Sequence, residues 1–80
     1  MKNSCTWEAI DDFQSRTEFV RLIVWIDSQV SEKMASEILV KDTYAGSGFT
    51  ERWFQCAVSN SVWRLVYPDG PFHGLWHAVV

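Results

Sequence analysis

The spacing of apolar residues changes once along this chain, near residue 33, and that change limits the folds open to it. Phe19, Leu22, Ile23, Ile26 and Val30 fall at i, i+3, i+4, i+7 and i+11, which is one stripe of a helix. Ser15 or Thr17 is a suitable N-cap, and Glu18 stands in the first turn, where it meets the positive end of the helix dipole. The spacing predicts a helix over about 16–32. On its wheel Arg21 and Ser28 point away from the stripe, Trp25 lies beside Arg21 off the core centre, and Val20 and Val24 widen the other flank. Upstream, residues 6–13 read as a short helix capped by Thr6, with Trp7, Ile10 and Phe13 aligned.

Beyond the helix the period shortens to two. Residues 37–44 are rich in strand formers, 45–48 form a Gly-containing loop, and 52–58 with 62–67 read as a hairpin around Ser59-Asn60. Pairing Val58 with Ser61 sets Cys56 opposite Trp63 and Phe54 opposite Leu65. Phe54, Cys56, Val58, Trp63, Leu65 and Tyr67 then share one apolar face. Trp53, Gln55, Val62, Arg64 and Val66 occupy a mixed one. Pro68-Asp69-Gly70-Pro71 is a turn, and 75–80 a final strand. The expected class is α+β: one or two N-terminal helices packed on a mainly antiparallel sheet of about four strands, with residues 1–80 as one domain.

A chain of 80 residues buries only about two-thirds of its unfolded surface, so its apolar residues must be used well. Twelve are aromatic, five of them Trp, and each large ring can bury roughly 150–250 Å². With that much core, Cys5 and Cys56 are expected as free thiols in a reducing compartment. No signal-peptide pattern opens the sequence, and the longest apolar stretch, Leu22 to Ile26, is far short of the roughly 20 residues of a membrane span. The expectation is a soluble cytoplasmic protein without membrane contact. The net charge of −3 is unevenly placed: residues 1–51 carry nine acids against five bases, and residues 52–80 two Arg against one Asp. An acidic first half argues against nucleic acid and suits a basic protein partner.

Candidate chemistry is sparse. His73 and His77 would share one face of a helix, but Gly74 and Pro71 favour extended chain, in which the two stand about 13 Å apart. Cys5, Cys56, His73 and His77 lack the short spacing of a zinc knuckle. Cys56 with a His and Asp69 would make a nucleophile pair, but Cys56 falls on the predicted core face, where a thiol is inert. No phosphate-binding glycine motif is present. No catalytic residue, metal or cofactor is expected. One nucleic-acid reading has parts to offer: Trp53, with Trp76 as a further ring, beside Arg52 and Arg64 on a sheet face resembles a stacking platform for single-stranded RNA, though no basic groove accompanies it.

The string Glu51-Arg52-Trp53-Phe54-Gln55-Cys56, preceded by Tyr44-Ala45-Gly46 and followed by Val62 to Trp76 with Trp63-Arg64-Leu65-Val66 and Pro68-Asp69-Gly70-Pro71-Phe72-His73-Gly74, carries a family resemblance. Over about residues 44–77 the chain resembles the small immunity proteins encoded beside bacterial contact-dependent growth-inhibition and related polymorphic toxins. The resemblance implies a cytoplasmic, non-enzymatic inhibitor of a cognate toxin C-terminal domain, often a nuclease. It implies no fold, because the class spans unrelated ones, and it transfers no catalytic residue. Trp63, Pro68, Phe72 and Trp76 read as framework. A basic nuclease domain would complement the acidic half. The expected partner contacts are Glu8, Asp11, Asp12, Glu18 and Trp25, with Trp53 a further candidate.

Overall fold

A computed structural model describes residues 7–44 and 48–79. It has one helix, α1 (Arg16–Ser31), followed by four strands: β1 (Ala35–Ile38), β2 (Glu51–Cys56), β3 (Val62–Val66) and β4 (Leu75–Ala78). The strands form an antiparallel meander in the order β1-β2-β3-β4. This is the α+β class expected from the change of period, with one helix rather than two.

The start of α1 follows the capping rule. Ser15 is extended, at φ −158° and ψ 163°, and its Oγ accepts the Glu18 amide at 3.2 Å. The Glu18 carboxylate reaches back to accept the Gln14 amide at 2.6 Å, a variant of the reciprocal capping box. At the other end the Lys33 amide donates to the Val30 carbonyl at 3.0 Å and the Met34 amide to Gln29 at 2.8 Å, the pattern of a Schellman motif. That motif needs a left-handed residue. Here it is Lys33, at φ 64°, where glycine is the usual occupant. Within the stripe Phe19 and Ile26 are buried and Leu22, Ile23 and Val30 half-buried, while Val20 and Val24 are exposed. The apolar face is narrower than the wheel suggested.

Residues 7–9 form no helix. Ile10 pairs with Trp76 through two backbone hydrogen bonds of 2.8 and 2.9 Å. The aligned Trp7, Ile10 and Phe13 all pack on the core, but an extended segment docked on β4 delivers them. Thr6, the expected cap, lies outside the described residues.

The hairpin keeps its two faces but not its register. Phe54 is opposite Trp63 and Arg52 opposite Leu65, two residues from the expected pairing. A slip of two leaves every side chain on its own face, so Phe54, Trp63 and Leu65 still line the core. The cause is the turn. Cys56 pairs with Ser61 (Cys56 amide to Ser61 carbonyl, 2.8 Å), so four residues, 57–60, make the loop and Asn60 takes φ 61°. Val58 is therefore exposed in the loop. β1 likewise ends at Ile38, leaving Leu39 exposed. Gly74, at φ 81°, is required: a Cβ there would stand 2.7 Å from the Val66 carbonyl oxygen and 2.9 Å from the Pro68 nitrogen, so only glycine lets β4 enter against β3.

Cys56 is disulfide-bonded, contrary to the expectation of free thiols. Cys5, the other cysteine of the sequence, lies outside the described residues. A large apolar core makes a bridge unnecessary but does not forbid one, because a crosslink stabilises by restricting the unfolded chain whatever the core contains.

The C-terminal cap of α1 gives a direct check on the backbone. Lys33→Gly should stabilise the protein by about 0.5–1 kcal/mol, since relief of left-handed strain exceeds the entropy glycine adds to the unfolded chain. Thermal melting would register a rise of a few degrees. A fall in melting temperature would contradict the left-handed conformation at this position.

Candidate functional site

Five of the six residues expected to meet a partner are distributed along segment 7–12 and α1, and the structure sorts them. Glu8, Asp11 and Asp12 are exposed, held along β4 by the Ile10–Trp76 bridge. The Asp11 carboxylate lies within hydrogen-bond distance of His77 Nε2, at 2.8 Å, so it is partly committed to fastening the segment. The Asp12 carbonyl is used by the Gln14 side chain at 3.1 Å, while its carboxylate projects outward. Glu18 is occupied in capping α1.

Trp25 lies half-buried on the half of α1 that faces segment 7–12. Its ring meets Trp7 edge-on, with centroids 5.4 Å apart and planes at 79°, and meets Trp76 at 6.0 Å and 89°. Trp7 in turn approaches Trp76 at 5.6 Å. These three indoles, with Leu22 and Glu8, line an open cleft of about 340 Å³. Glu8 and Trp25, 17 positions apart in sequence, thus belong to one site. Trp7, Leu22 and Trp76 complete it. Sequence reasoning treated those three as core, which is correct for most of their surface. The exposed remainder of Trp7 and Leu22 depends on how segment 7–10 docks over the buried Trp76, and no local spacing signals that.

Trp53 stands on the other side of the sheet and is 6% exposed. Its indole N–H donates to Glu51 at 2.6 Å, and the Arg64 guanidinium lies 5.4 Å from its ring. Arg64 lies at the same distance from Tyr44, and Glu51 also accepts the Tyr44 amide at 2.8 Å. Val66 and Leu75 are buried on this face too. Trp53 is therefore sealed within this face, with little ring surface left to meet a partner or to stack a base. The physical reason is visible in the register: Ile38, Trp53, Arg64 and His77 form one cross-strand row, so Arg64 is held over Trp53 rather than left for a phosphate.

Arg52, the other base of the second half, is equally engaged. It donates to both Glu37 oxygens at 3.0 and 2.8 Å and to the Tyr67 hydroxyl at 3.2 Å, and Asp27 of α1 stands 3.5 Å away. The hydrogen bond and charge of Arg52 hold the Glu37 carboxyl below its ordinary range, and Glu37 in turn raises the guanidinium. The pair joins β1 to β2 and brings in α1. Its fork geometry is that of a structural clamp.

A second concavity, about 260 Å³, lies between the start of α1 and the 68–73 turn, bordered by Phe13, Phe19, Phe72, Arg16 and His73. Two polar groups of its lining, the Ser15 hydroxyl and the Gln14 amide, are already bonded within the helix cap. Among the described residues no group of three or more His, Cys, Asp or Glu is gathered as a metal site, and no helix is long and apolar enough to cross a membrane. His73 is exposed in the approach to β4, and His77 lies on it. The chain matches no family model, no curated protein and no solved structure.

Proposed function

We propose that this chain acts by binding a basic protein domain, as an immunity protein that neutralises a cognate bacterial toxin domain. The observation that supports this most is the edge formed by segment 7–12. Three carboxylates, Glu8, Asp11 and Asp12, stand exposed there, with Glu8 lining the Trp7–Trp25 cleft, while both Arg residues of the second half are turned inward. Exposed acids on a segment that also carries an aromatic cleft are the anatomy of a steered protein contact. Charge raises the encounter rate, and a desolvated ring supplies the anchor. A nuclease toxin domain, basic because it holds a polyanion, has the complementary surface. On this reading the chain carries out no chemistry, needs no cofactor, and has no direct contact with nucleic acid or membrane.

Steering through the acidic edge is tested with the variant Glu8→Lys/Asp12→Lys and the toxin domain encoded beside this gene. Both side chains are exposed, so stability should move by no more than about 0.5 kcal/mol per site. The association rate at low salt should drop by about tenfold or more, and the parent's rate should fall with added salt while the variant's stays flat. A variant that associates like the parent at both salt concentrations contradicts the proposal.

Action in the cytoplasm belongs to the same reading, and the Cys56 disulfide bears on it. Cytosolic thiol systems keep such pairs reduced, whereas secreted and periplasmic ones persist. Alkylation trapping of Cys56 in intact cells separates the two. Cytoplasmic action predicts a reduced, alkylated thiol, and an oxidised one would place the protein in an oxidising compartment instead.

A further inference from the structure

The geometry points to the Trp7–Trp25–Trp76 cleft as a receptor for one cationic side chain, an arginine guanidinium presented by the partner. This deepens the neutralisation reading and takes from it the basic character of the partner. The recognition element itself rests on three observations. First, the half-buried indoles of Trp7 and Trp25 meet edge-on at 5.4 Å and 79° over the buried Trp76, which forms the floor, so Trp7 and Trp25 keep ring surface open to an incoming group instead of closing into a stack. A cation within about 6 Å of a Trp centroid is attracted by the ring quadrupole, and Trp is the strongest of the aromatic partners. Second, among the described residues the one ionisable group lining the cleft is an acid, Glu8, and it is exposed at the rim. Third, the volume of about 340 Å³ lies at the small end of ligand sites, enough for a side-chain head group and too small for an extended peptide.

The same chemistry selects the head group. A guanidinium is planar, weakly hydrated and able to stack on one indole while it donates to a carboxylate. An ammonium keeps its water more firmly and has no plane to stack. Glu8 offers a two-oxygen acceptor that matches the fork of an arginine. The cleft is open to solvent, so a single side chain delivered without the rest of a partner should bind weakly, with a dissociation constant in roughly the millimolar range.

The test uses the whole chain and needs no toxin. Acetyl-Gly-Arg-Gly-amide is titrated in while the indole N–H signals of the five Trp are followed by NMR. The counterparts carry lysine and citrulline, the latter having the shape of arginine without its charge. The expected result is a saturable shift of the Trp7 and Trp25 signals with arginine, several-fold weaker binding with lysine, and at least about tenfold weaker binding with citrulline. Glu8→Gln, an exposed change that leaves the core intact, should weaken arginine binding by about three- to tenfold. Citrulline binding equal to arginine, lysine binding tighter than arginine, an unaltered affinity in Glu8→Gln, or unmoved Trp7 and Trp25 signals at tens of millimolar peptide would each overturn the assignment. Because the toxin is not involved, failure here leaves the neutralisation proposal standing. A chain that fails to neutralise but still titrates with arginine leaves the cleft assigned and removes its proposed partner.

Discussion

Trp76 is used twice, and the rest of the structure is arranged around that double use. Its backbone N–H and carbonyl pair with Ile10, while its ring, 1% exposed, contacts Trp7, Trp25, Phe54 and Trp63. The strand therefore holds the N-terminal segment by its main chain and α1 by its side chain at one residue. Aromatic pairs at these separations add about 0.5–1.5 kcal/mol each beyond the area they bury, and a core of this size has few other large groups to compensate. Gly74 makes the arrangement possible two residues earlier by letting β4 approach the Val66 carbonyl.

Much of this was legible in the sequence, for physical reasons that differ from element to element. α1 was readable because its signals agree: stripe, Ser15 cap and first-turn Glu18. The strand faces were readable because side-chain alternation survives a register slip of two, so Phe54, Trp63 and Leu65 reach the core despite the wrong partner assignment. Register itself was not readable. It depended on whether the hairpin loop held two or four residues, and Ser59-Asn60 satisfies either, since Asn60 tolerates a positive φ in both. The segment 7–13 shows the reverse failure. The apolar residues were correctly chosen and wrongly shaped, because a three-residue spacing fits an extended strap docked on a sheet edge as well as a helical turn.

The candidate site was legible in chemistry and not in place. An excess of acids before residue 52 is a composition fact, but capping and pairing divide those acids into different jobs. Glu18 secures a helix start, Glu37 clamps Arg52, Glu51 binds Trp53 and Arg64, and the acids left facing outward are those of segment 7–12 together with Asp27, Glu32 and Asp42. Trp25 and Trp53 looked alike as aromatic candidates beside an arginine. Tertiary packing separates them: one opens onto a cleft with Glu8, the other lies sealed under Arg64.

The central claim is that Trp76, through Trp7, fastens segment 7–10 and so creates the acidic edge and its cleft. Amide hydrogen exchange at Ile10 tests it most directly, in the parent and in Trp7→Ala. The account predicts an Ile10 amide protected in the parent and exchanging at least about tenfold faster in the variant, with the Phe54 and Leu65 amides slowed almost as before, because local opening and global unfolding are distinct events. An Ile10 amide that exchanges freely in the parent, or one equally protected without the Trp7 ring, would contradict it.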